Sequence, residues 1–107
     1  MTIDMNSPAI SFIGEYQLGN LISNQIPFLF IYVSDSDEIP DHPLLNGAVV
    51  HSPLGLVDFV ESKAANHEHP IVLVCDRGEV SKSSAETLVV AGYLNVFVVK
   101  EGVDGIS

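Results

Sequence analysis

A single cysteine, four basic residues and no tryptophan set the first bounds on this chain of 107 residues. One cysteine cannot close an internal disulfide, which is the thiol usage of a reducing cytoplasm. Lys63, Arg77, Lys82 and Lys100 stand against fourteen acids, for a formal net charge of −10. Nucleic acid and anionic membrane surfaces are repelled by such a chain, so neither is expected as a partner, whereas a basic protein is admissible. No stretch approaches the ~18 consecutive apolar residues of a membrane span. The opening residues Met1-Thr2-Ile3-Asp4-Met5-Asn6 have neither a basic region nor a long apolar one, so no signal peptide is expected and the location predicted is cytoplasmic. Internal repeats, low-complexity tracts and linkers are also missing. The length suits one domain, residues 1–107, with a single core.

Apolar runs separated by polar and Gly/Pro punctuation supply the rest. Ala9 to Ile13 is a short candidate strand. Leu18, Leu21 and Ile22 then recur at helical spacing within Glu15 to Ser23. Phe28 to Val33 and Ile71 to Val74 are unbroken apolar runs, the pattern of strands buried on both faces. Ser34 to Leu45 is polar and acidic, broken by Pro40 and Pro43, and reads as a surface loop. Four carboxylates near His42 do not have the spacing of a calcium loop. Ala48 to His51 is a third strand, after which Ser52-Pro53 predicts a helix with Ser as N-cap and Pro at the first position. Leu56, Val57, Val60 and Ala64 form that helix's buried face. His67-Glu68-His69 reads as an exposed turn, since no third metal ligand is placed by sequence. The last helix is predicted from Ser81 to Ala91, with Ala85, Leu88 and Val89 inward, Ser83 and Glu86 at capping-box spacing, and Gly92 as its stop. Asn95 to Val99 is the final strand. Strands alternating with helices on short connections predict an α/β fold: a mostly parallel sheet of about five strands with helices on both faces.

The cysteine sits at a telling point in this pattern. Val72-Leu73-Val74 delivers Cys75 to the carboxyl end of a buried strand, where open α/β sheets place their sites. A polar loop, Asp76-Arg77-Gly78-Glu79-Val80, leads into a helix at Ser81. Gly78 can take positive φ at no steric cost, so the loop can curl with its N–H groups toward the sulfur. Those donors, with the exposed N–H groups of the helix's first turn, converge on one point and stabilise an anion. A thiolate is that anion, and Arg77 and Lys82 offset the surrounding acidity for it. The bland alternative is a small buried hydrophobe, which most unpaired cysteines are.

Cys75-Asp76-Arg77-Gly78-Glu79-Val80-Ser81 resembles the active-site loop of rhodanese sulfurtransferases, commonly Cys-x-x-Gly-x-(Arg/Thr/Ser)-(Ser/Ala). Three further stretches agree in order and spacing. Phe28 to Ser34 is similar to the family's strand ending in Asp-Val-Arg, and Asn46-Gly47-Ala48-Val49 to its Pro-Gly-Ala-Ile. Ala91-Gly92-Tyr93-Leu94-Asn95-Val96, followed by Glu101-Gly102-Val103, is similar to Ala-Gly-Tyr-x-Asn-Val with Gly-Gly-Ile. The resemblance implies a sulfurtransferase or persulfide carrier. Cys75 would be the nucleophile, and Asp76, Arg77, Gly78, Glu79, Val80 and Ser81 the loop that holds the persulfide. It implies no cofactor and no metal. The partners it implies are a donor of sulfane sulfur and a thiol or protein acceptor.

Rival chemistries are poorly served. A Cys-x5-Arg phosphatase loop needs a guanidinium where this chain has Ser81, and Cys-x-x-Cys exchange needs a second thiol. Departures from the family pattern are equally specific. Tyr32-Val33-Ser34 replaces Asp-Val-Arg and removes a charge pair. Leu44 occupies the place of a common histidine, with His42 two residues earlier; Val80 replaces a polar residue, and Ile106 stands where a tryptophan is usual. These changes keep open a second reading, a rhodanese-like binding or regulatory module with little transfer activity. A third is an oxidation-sensing thiol.

Overall fold

The computed structural model describes residues 10–24, 27–35, 45, 47–64, 66–75 and 79–99. In chain order they form β1 (Ile10–Ile13), α1 (Glu15–Ser23), β2 (Leu29–Val33), β3 (Val49–His51), α2 (Leu56–Lys63), β4 (Ile71–Val74), α3 (Glu79–Val90) and β5 (Val96–Val99). The strands make one sheet in the order β1-β5-β4-β2-β3, and every pairing is parallel. The α/β architecture expected from alternating strands and helices is therefore present. No helix among the described residues is long and apolar enough to cross a membrane.

Alternation along each strand divides the core in two. Ile31, Val33, Ile71, Leu73, Val96 and Val98 face one side, where they meet Leu56 and Val60 of α2 and Ala85 and Leu88 of α3. Phe30, Tyr32, Val72, Val74 and Val99 face the other and pack against Leu18 of α1 and Leu45. Each branched side chain fully buried in this way contributes about 1.5–3 kcal/mol. All four residues of β4 are completely buried. That burial is why Ile71 to Val74 reads as a continuous apolar run.

Two helix starts differ from expectation. Ser52 does not cap α2. Its hydroxyl accepts from the Leu54 N–H at 3.1 Å and donates to the Asp35 carboxylate at 2.8 Å, closing a turn ahead of the helix. The N-cap is Gly55 at φ +77°, a left-handed conformation that favours glycine. α3 begins at Glu79, two residues before Ser81, with the acidic side chain in the first turn, where the helix dipole favours it. Ser83 is consequently mid-helix and caps nothing; its carbonyl accepts from the Thr87 hydroxyl at 3.2 Å. Leu45, which the sequence assigns to the surface loop, is buried against the α1 side of the sheet.

His67-Glu68-His69 is a connecting turn, as expected. Asn66 folds it by accepting from the Glu68 N–H at 2.8 Å. The Leu94 N–H reaches the His67 carbonyl at 2.9 Å and the Asn95 side chain the Glu68 carbonyl at 2.7 Å, so this turn is tied to the one after α3. Among the described residues no three potential metal-ligating side chains come together.

Candidate active site

The topology places a crevice at the carboxyl ends of β2 and β4. From β2 the chain moves outward to β3, whereas from β4 it moves the other way to β5, so connections diverge between these neighbours. Such a switch point is where open α/β sheets bind ligands. Cys75 is the first residue past β4, held by a strand that cannot shift without exposing its entire apolar length.

The sulfur faces the start of α3. The Ser81 N–H donates to Cys75 Sγ at 3.3 Å. Early N–H groups of a helix have no carbonyl one turn back to accept them, so the sulfur takes that place, near the positive end of the α3 dipole. Cys75 itself is only 3% exposed. It nevertheless lines an open cleft of about 360 Å³. Val33, Ser34 and Asp35 form one wall at the end of β2, Pro53 contributes from the turn before α2, and Glu79 and Val80 close the side toward α3.

Asp76, Arg77 and Gly78 lie outside the described residues. Glu79, Val80 and Ser81, expected in the loop or at the helix start, instead form the first turn of α3. The helix begins earlier because a carboxylate at position 79 suits its amino end. Glu79 and Val80 are exposed on the cleft, whereas Ser81 is completely buried beside the sulfur. Sequence reasoning places Asp35 only in an acidic surface loop, yet it faces the cleft and is held by Ser52. The signal that could have found it is positional: Asp35 follows the carboxyl end of the strand adjacent to β4. The remaining acids of that stretch, Asp37, Glu38 and Asp41, lie outside the described residues, as does His42.

The arrangement offers a sulfur nucleophile in a small open cleft, backed by a helix amino end and bordered, among the described residues, by two carboxylates. The residue replacing the family's arginine, Ser34, lies on the wall, and its backbone N–H is taken by the His51 carbonyl at 2.9 Å.

Known proteins share this fold. A rhodanese-like domain protein from Staphylococcus aureus superposes with a TM-score of 0.68 at 20% identity, covering 91% of each chain. A rhodanese homolog from the extremely thermophilic bacterium Thermus thermophilus gives a TM-score of 0.61 at 15% identity, covering 91% of this chain and 99% of that one. The polysulfide-sulfur transferase homodimer of Wolinella succinogenes gives 0.67 at 18% identity, covering 92% of this chain and 74% of its own. No curated protein matches the chain. At these identities the superpositions establish the fold, and the family model for the rhodanese-like domain matches residues 15–107, nearly the whole chain. A cysteine at the carboxyl end of the central strand, facing a helix start across a switch point, therefore sits in a chain that belongs to the rhodanese-like domain family.

Proposed function

We propose that the protein moves sulfane sulfur through a persulfide on Cys75, as a sulfurtransferase or persulfide carrier. The observation that carries this reading is the Ser81 N–H on Cys75 Sγ at the base of an accessible cleft. A buried cysteine serving only as core has no need of a helix-terminal donor or of an opening to solvent. The thiolate attacks the outer sulfur of a donor, whose own sulfur leaves with the bond pair; a second nucleophile then takes the sulfur and returns the thiolate. One difficult transfer becomes two easier ones. The acceptor comes from outside, so one cysteine suffices. No cofactor is required, and the chemistry suits a reducing, cytoplasmic setting.

Asp35 and Glu79 on the cleft argue that thiosulfate, a dianion, is a poor donor, and that the sulfur arrives on a small thiol or a protein. With a net charge of −10, a basic protein fits the role of donor or acceptor. The second reading, a binding module without transfer, draws on Val80, an apolar side chain 42% exposed at the cleft. Intact mass after incubation with an alkyl persulfide separates the two. Gain of one sulfur atom, absent in Cys75→Ser, supports transfer; no gain leaves the binding module.

A further inference from the structure

Among the described residues, the Ser81 hydroxyl oxygen is buried without any hydrogen-bond partner, on a side chain that has no exposure at all. Native proteins seldom leave such a group unsatisfied, because it has given up water and gained nothing in return. Helical serines and threonines commonly escape this by bonding a carbonyl one turn back, as Thr87 does with Ser83. Ser81 does not. Its backbone N–H is already on Cys75 Sγ, so its hydroxyl, a few covalent bonds away, is held in the sulfur's immediate neighbourhood. Sγ itself is not the hydroxyl's partner. The neighbouring side chain, Val80, has nothing to donate.

We propose that Ser81 is a sulfur-holding residue, whose hydroxyl donates to the outer sulfur once Cys75 carries a persulfide. This rests on the transfer reading above. The step balances without an oxidant or reductant. The Cys75 thiolate attacks the outer sulfur of an alkyl persulfide R–S–SH; the new S–S bond forms as the donor's breaks; and the donor's proton passes to the departing R–S⁻, leaving Cys75–S–S⁻ and R–SH. The terminal sulfur is then an anion, and a hydroxyl donor to it is strengthened by that charge. The same hydroxyl is a liability before sulfur arrives and a ligand afterwards.

The experiment equilibrates the wild-type protein, Ser81→Ala and Ser84→Ala with an alkyl persulfide and its thiol at a fixed ratio, and reads the persulfidated fraction by intact mass. Ser84, also buried, lies one turn further along α3 and serves as the control. The partition constant of Ser81→Ala is expected to fall about tenfold or more, while Ser84→Ala stays at the wild-type value. The resting Ser81→Ala protein is expected to alkylate at Cys75 within about twofold of the wild-type rate, and to melt about 4 °C or more higher because the unsatisfied group is gone. Equal partition in wild type and Ser81→Ala overturns the assignment while leaving transfer intact. Alkylation falling as far as partition overturns it too, by making Ser81 a structural residue. Failure of the wild type itself to take up sulfur removes the transfer reading and this assignment together.

Discussion

Neutralising the two carboxylates on the cleft should make thiosulfate a better donor, by an amount that the geometry sets. A cleft of about 360 Å³ keeps an anion inside it within roughly 6 Å of a carboxylate on its wall, and at that range one charge repels a dianion by about 1.4 kcal/mol in water. Screening at physiological ionic strength removes about half of that. Two carboxylates, Asp35 and Glu79, then cost about 1.3 kcal/mol together, and Asp35→Asn/Glu79→Gln should raise kcat/KM for thiosulfate about tenfold. Near 0.01 M salt the gain should grow to roughly fiftyfold, because the Debye length then greatly exceeds the cleft. Asn at position 35 can still accept the Ser52 hydroxyl, so the wall is preserved. The assay is steady-state sulfur transfer to cyanide across a salt series. No gain with thiosulfate at low salt, or a gain that salt leaves unchanged, would refute the electrostatic account.

Three further outcomes test the scaffold. Tyr93 is raised above the usual tyrosine range, first by burial and then by the nearby Glu61 carboxylate. Its folded state therefore holds the phenolic proton more tightly than the unfolded chain does. The stability this contributes is complete below the ordinary tyrosine range, near pH 10, and is lost as pH rises through the folded value; Tyr93→Phe should flatten that loss in denaturant titrations from pH 9 upward. Gly92→Ala should cost about 1–2 kcal/mol by chemical denaturation. Gly92 sits at φ +108°, and an added Cβ would meet the His67 ring only at an ordinary 3.7 Å, so the penalty is conformational. Leu73→Ala, at a fully buried position on the central strand, should cost about 2–5 kcal/mol in the same measurement.

Elements whose burial dictates their residues are legible in the sequence alone. Ile71 to Val74 matches β4 residue for residue, and Leu18, Val60, Ala85 and Leu88 all lie where helical spacing puts the core. The position of Cys75 follows from the same logic, because a wholly apolar strand has to end before a polar loop begins. Helix starts are less legible, since several local options compete there at similar free energy. Ser52-Pro53 is an acceptable N-terminus in isolation, and only the reach of Ser52 to Asp35, seventeen residues away, selects the turn instead. Ser83 and Glu86 satisfy a capping pattern that the carboxylate at position 79 pre-empts. The burial of Ser81 is a tertiary outcome that no local signal distinguishes from an exposed serine, and the cleft-facing role of Asp35 is legible only from its place after the strand that turns out to adjoin β4.

Among the described residues, β1 is the first strand in chain order and pairs only with β5, the last. During synthesis, then, β1 has no described partner until β5 has been made, whereas β2, β3 and β4 can pair before that. Pairings between strands so far apart in sequence are slow to form and leave apolar edges open in the interval. Ile13, the buried residue of β1, is the one on that strand whose burial waits on the pairing. Ending the chain before Val96 removes the pairing of β1 and leaves β4 with β2 alone, so such a product should aggregate on expression where the longer chain does not.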